Sequence, residues 1–132
     1  MQTAQPIVKF FNGEWLEWFA FMKLVAFCHE QKLSFAGLRS FSIHFPTGDS
    51  NELDTFFLIN DYPVFVECKS GEFRGFIDKY VKLRHLLKID KKHFFMLVLG
   101  LSDEQIQGLT RMFGITFVNE KTFVKQVSAL LN

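Results

Sequence analysis

The stretch Asn51-Glu52-Leu53-Asp54-Thr55-Phe56-Phe57-Leu58-Ile59-Asn60-Asp61-Tyr62-Pro63-Val64-Phe65-Val66-Glu67-Cys68-Lys69 reads as two apolar strands joined by an Asn-Asp pair. Val, Ile, Phe and Tyr favour the pleated backbone, and Asn and Asp tolerate the positive φ that a two-residue hairpin turn requires. With the turn at Asn60-Asp61, Ile59 faces Tyr62, and counting back along antiparallel pairs sets Asp54 opposite Glu67 and Glu52 opposite Lys69. Side chains alternate with a period of two. Glu52, Asp54, Glu67 and Lys69 are therefore expected on one face, and Leu53, Phe57, Ile59, Val64, Val66 and Cys68 on the other. Directly opposed residues have Cβ atoms about 4.5–5.5 Å apart, so two carboxylates placed this way repel unless a cation lies between them. Their hard oxygens suit Mg²⁺ or Mn²⁺. A slip of one residue would scatter the constellation.

An Asp, a hairpin and then Glu-x-Lys at the end of an apolar strand, here Asp54 and Glu67-Cys68-Lys69, resemble the active site of the PD-(D/E)xK nuclease superfamily. Asn51-Glu52-Leu53-Asp54, Glu67-Cys68-Lys69-Ser70-Gly71 and the upstream Gly13-Glu14-Trp15-Leu16-Glu17 are most similar to the nuclease domain of CRISPR ancillary nucleases that carry a CARF sensor domain. The similarity runs from about Asn12 to the C-terminus. It implies a restriction-endonuclease-like fold and hydrolysis of phosphodiester bonds, with DNA favoured over RNA. By this resemblance the backbone carbonyl of Cys68 joins Asp54 and Glu67 around the ion, and Lys69 acts at the attacked phosphate. Glu17 on the first helix supplies a further acid, with Glu14 as the alternative and Glu52 as an accessory group. Tyr80 and Lys82 are further candidates on the helix that follows.

At 132 residues the chain is expected to be one domain. That length leaves no room for a sensor domain, so control by cyclic oligoadenylate is not expected, and a regulator would be a separate protein. The 18 phenylalanines suggest more aromatic surface than a small core hides, and hence a homodimer. A net charge of +1 gives no global nucleic-acid signal. Cys28 and Cys68 sit in apolar patterns without a CxxC partner, as buried free thiols do. The apolar run from Trp15 to Cys28 carries Glu17 and Lys23 and is too short to span a bilayer, and no signal peptide is visible, so a cytoplasmic location is expected.

Along the chain, Asn12 is the expected N-cap of a helix from Gly13 to about Gln31 whose apolar residues occupy more than one face. Leu38 to Phe45 alternates as a strand, with His44 on its polar face. A helix from about Phe76 to Ile89 follows the hairpin. Its basic residues Lys79, Lys82, Arg84 and Lys88 are the expected contacts to a nucleic-acid backbone. Phe94 to Leu99 reads as a strand buried on both faces. Ser102 and Gln105 form a capping-box pattern for a helix to about Met112. Ile115 to Val118 is a further strand, and Asn119 caps the last helix. The order is αβββαβ followed by αβα, and the expected class is α/β, a three-layer α/β/α sandwich on a mixed sheet. The competing reading is a catalytically inactive nuclease-like domain that binds nucleic acid or a partner.

Overall fold

A computed structural model describes residues 14–131. The Asn12 cap expected for the first helix lies outside the described residues. Helix α1, Trp15–Glu30, buries Leu16, Ala20, Leu24 and Cys28, a stripe with a spacing of four that presents one face to the core. Strands β1 (Phe35–His44), β2 (Ser50–Ile59) and β3 (Tyr62–Lys69) follow as a meander. A short turn of 3₁₀-helix, Arg74–Phe76, leads into α2, Ile77–Leu87. Then come β4 (Phe94–Val98), α3 (Asp103–Met112), β5 (Thr116–Val118) and α4 (Phe123–Leu131).

The five strands make one sheet in the order β1-β2-β3-β4-β5. Pairing is antiparallel from β1 to β3 and parallel from β3 to β5. One core fills the space beneath α1 and α4 with Phe57, Ile59, Val64, Val66, Phe95, Leu97 and Val118. The other lies beneath α2 and α3 and contains Leu53, Phe65, Phe94, Met96, Val98 and Phe117. The chain is thus an α/β three-layer sandwich on a mixed sheet. Strand β4, buried along its whole length, divides its side chains between the two cores; each fully buried large apolar side chain contributes roughly 1.5–3 kcal/mol.

The Asn60-Asp61 turn forms as its chemistry demands, with φ of 47° and 71° and Ile59 paired with Tyr62. Asn60 also fastens this turn to the start of β1: its Oδ1 accepts from the Ser34 N–H at 3.0 Å, and its own N–H donates to the Ser34 carbonyl at 2.9 Å. Ser102 and Gln105 form the expected reciprocal capping box. Asn119 caps the turn ahead of α4, accepting at Oδ1 from the N–H groups of Lys121 and Thr122, while its Nδ2 donates to the Leu101 carbonyl.

The two cores absorb most of the aromatic residues. Among the described phenylalanines Phe76 is the exposed one, and Trp18 and Tyr62 are exposed as well. No described helix is long and apolar enough to cross a membrane. Cys28 and Cys68 are buried free thiols, and burial pushes both thiol pKa values up.

Candidate active site

Strands β2 and β3 stay in register from the Ile59–Tyr62 pair to the Thr55–Val66 pair. At the next rung, carboxylates take over from the backbone. The N–H of Asp54 donates to Glu67 Oε1 at 3.0 Å, and the N–H of Cys68 donates to Asp54 Oδ2 at 2.9 Å. Both N–H groups here end on carboxylate oxygens rather than on carbonyls, so the strands fork with two acids at the branch point. Asp54 and Glu67 face each other there, as the hairpin register requires.

Glu67 is 1% exposed. Loss of solvent, then the adjacent Asp54 charge, pushes its carboxyl well above the usual carboxylate range. The Tyr80 hydroxyl of α2 donates a hydrogen bond to Glu67, and its own pKa is raised by burial and by the neighbouring carboxylates. Glu17 of α1 approaches Asp54 from the other side of the sheet. Desolvation, together with the charge and hydrogen bond of Asp54, lifts it from 4.5 to about 7. Three carboxyl groups from α1, β2 and β3 are therefore electrostatically linked, two of them with their charged forms disfavoured.

The alternation expected for Glu52, Asp54, Glu67 and Lys69 breaks at Asp54. Ser40 of β1 adopts φ of 49°, and Ser40 and Asp54 drop out of an otherwise continuous β1–β2 register. No residue is inserted, but the pleat reverses across this point. Phe35 and Arg39 lie towards α1, whereas Phe41 and Ile43 pack on the α2 side. On β2, Phe57 belongs to the α1 core and Leu53 to the opposite one, which corrects the expectation that Leu53 shares the face of Phe57. The physical reason is the left-handed residue, which rotates the strand and drags its partner with it. In consequence Glu52 lines a cleft of about 390 Å³ with Glu14, Glu17, Ser40, Ser42 and Asp54. Lys69 instead sets its Nζ 3.8 Å over the exposed Phe76 ring and 5.8 Å over Tyr80. Glu52 and Lys69 are thus not gathered on one face.

The basic residues of α2 separate into two groups. Lys79 and Lys82 line a groove of about 290 Å³ with Asp49, Ser50, Asn51, Leu83 and Leu86, beside the start of β2. Arg84, expected as a backbone contact to nucleic acid, is committed elsewhere: its Nη1 donates to the Ile89 carbonyl at 2.6 Å, and any Cβ at Gly114 would lie 3.1 Å from its Nη2. This guanidinium fastens the end of α2 to its exit loop. Lys88 forms the helix C-cap in the left-handed conformation, φ 56°. His44 is exposed at the end of β1 opposite Ser50, a polar-face residue as its alternation implies.

Arg39 was not singled out by the sequence. Its guanidinium carbon lies 3.8 Å over the Trp18 ring, and its charge partly offsets the rise at Glu17. A signal was present, since Arg39 shares an alternation phase with Phe41 and Ile43, where a charge has no place unless it is packed or paired.

No family model and no curated protein matches this chain. A solved structure described as protein VC1899 from Vibrio cholerae resembles it with a TM-score of 0.66 at 20% identity. The match covers 92% of this chain and 34% of that one, so the chain spans about a third of the neighbour's length. The likeness supports the fold.

Proposed function

We propose that the protein is a metal-dependent nuclease that hydrolyses phosphodiester bonds, with DNA favoured over RNA. The observation that carries this reading is the fork at Asp54 and Glu67, where a half-buried and a buried carboxyl meet on adjacent strands beside a third acid, Glu17. Stability gives little reason for such a cluster, because burying like charges without a cation is costly.

The donor set fits a divalent ion of the Mg²⁺ or Mn²⁺ class. Asp54, Glu67 and Glu17 offer hard oxygens, and a cation would offset the loss of solvent and the repulsion that together raise Glu17 and Glu67. Among the described residues no three His, Cys, Asp or Glu side chains are gathered closely enough to hold an ion by themselves. One oxygen of Asp54 and one of Glu67 are committed to backbone N–H groups, so the remaining oxygens, the Cys68 carbonyl and solvent would complete the shell. The ion would supply Lewis acidity at the scissile phosphate.

The chain's own groups do the rest. Asp54 and Glu67 are held by the Cys68 and Asp54 N–H groups in fixed orientations. Tyr80 restrains Glu67 from the α2 side. Lys69, at the end of β3, would stabilise negative charge as water oxygen bonds to phosphorus, the bridging P–O bond breaks, and the leaving oxygen takes up a proton. Glu17 and Glu52 line the approach, where they can orient water. Lys79 and Lys82 would neutralise neighbouring phosphates.

The test is cleavage of labelled single- and double-stranded DNA and RNA in Mg²⁺, Mn²⁺ or EDTA. Metal-dependent cleavage is expected, abolished by Asp54→Ala and slowed about 10²–10³-fold by Lys69→Ala. The carboxylates also complete the sheet's hydrogen bonding, which an inactive interaction domain would need as well. A folded protein that neither cuts any substrate nor takes up Mn²⁺ in calorimetric titration would establish that second reading.

A further inference from the structure

We infer that Arg39, held against Trp18, is a phosphate-binding residue at the rim of the cleft, taking a phosphodiester group next to the one attacked. The substrate class rests on the nuclease reading; the choice of residue rests on geometry.

Among the described residues the cleft is lined by Glu14, Glu17, Glu52 and Asp54 and by no Lys or Arg. A polyanion entering it meets like charge on that wall, and an ion at Asp54 and Glu67 offsets the repulsion only around the scissile group. A second cation is needed where the strand passes α1. Lys69 occupies the α2 wall against Phe76 and Tyr80, and Lys79 and Lys82 lie in the neighbouring groove. Among the described residues the cation beside the α1 wall is Arg39, which is not itself a lining residue but precedes Ser40, which is.

Its mounting is specific. The guanidinium carbon sits 3.8 Å over the indole of Trp18 and 5.9 Å from the Phe21 ring. Among the described residues its Nε is buried without a hydrogen-bond partner, which leaves the terminal Nη groups as the donors able to meet an incoming ligand. A guanidinium stacked on an aromatic face keeps its in-plane N–H donors for an acceptor approaching edge-on, the geometry in which Arg binds phosphate. Trp18 is 44% exposed and Phe21 partly buried, so this stack opens to solvent. Trp18 follows Glu17 directly, which ties the stack to the acid cluster. The competing role is structural: Arg39 would only temper the charge of Glu17. That role affects stability and leaves the counterions released on nucleic-acid binding unchanged.

The experiment measures binding rather than cleavage. Glu67→Gln protein in EDTA is titrated with a fluorescent single strand and with a duplex across a salt series, with Arg39→Ala, Arg39→Lys or Trp18→Leu added. For the form that binds, Arg39→Ala is expected to weaken affinity about tenfold and to lower the slope of log K against log salt by about one. Arg39→Lys keeps the charge and the slope but loses the planar stack, so a smaller loss is expected, with a normal thermal midpoint; it serves as the folded control should Arg39→Ala unfold. Trp18→Leu should weaken binding severalfold at unchanged slope. Affinity and slope that ignore Arg39→Ala in a folded protein overturn the inference, as does absence of binding to either form. Intact Arg39-dependent binding with no metal-dependent cleavage by the unsubstituted protein removes the nuclease reading alone.

Discussion

The parallel half of the sheet and the antiparallel half satisfy their polar groups in opposite ways. Around β4 and β5 the inward polar side chains of Asn119, Thr110 and Thr116 close gaps in the backbone. Asn119, 6% exposed, bonds Leu101, Lys121 and Thr122; Thr110 Oγ1 accepts from the Phe117 N–H, and Thr116 donates to the Lys91 carbonyl. Around β1 to β3 the arrangement holds tension. Two of the three buried side-chain atoms without partners among the described residues, Arg39 Nε and Thr55 Oγ1, sit on the rung beside Asp54; the third is Arg84 Nε. Ser40 is left-handed next to them, and Glu17 and Glu67 resist ionisation. Locally unfavourable chemistry gathered at one point of an otherwise consistent sequence marks a place shaped for something other than stability.

The sharpest way to break this contrast is to damage the parallel half. Phe117, fully buried between α3 and the sheet, should cost about 3–5 kcal/mol when changed to Ala, read from urea unfolding. Metal uptake by the fraction that remains folded should be unaltered; a large loss of Mn²⁺ affinity there would mean that the halves are not separable.

A second contrast is in pH dependence. Glu17 is raised from 4.5 to about 7. Between those values the unfolded chain releases a proton that the folded chain retains, so stability falls as pH rises through this window and carries no such penalty below 4.5. Glu67 acts in the same direction. Because Glu17 is only half-buried, its share is about 1 kcal/mol after screening. Comparing unfolding at about pH 4 and about pH 8 should show the loss, Glu17→Gln should reduce it, and Mn²⁺ should reverse it. A pH-independent wild type would remove the electrostatic account of the fork. The smallest effect belongs to the capping box: Ser102→Ala should cost about 1 kcal/mol of stability and leave the pH dependence of the fork unchanged.

How much of this could be read beforehand follows from the range of the forces involved. The Asn60-Asp61 turn, the Ser102–Gln105 box and the buried run of β4 depend on neighbours in sequence, so residue type decided them. The opposition of Asp54 and Glu67 followed from the turn by counting. What escaped were events between strands. Alternation alone cannot announce that Ser40 turns left-handed, so the displacement of Leu53 and the separation of Glu52 from Lys69 were hidden. Arg84 read as a surface charge because its acceptor, the Ile89 carbonyl, becomes visible only when the chain leaves α2. Arg39 was legible as an anomaly within an apolar phase, but its aromatic partner lies on a different element.

The double tie between Asn60 and Ser34 has a kinetic side. It ties residues 26 apart in sequence and encloses β1 and β2, and β3 follows directly through the Asn60-Asp61 turn, so β1 to β3 can assemble from contacts near in sequence. Strands β4 and β5 must wait for helical crossovers, which spend more loop entropy before any pairing rewards it. The meander is therefore the natural nucleus on refolding, and Asn60→Ala should slow the folding limb of a chevron more than it hastens the unfolding limb.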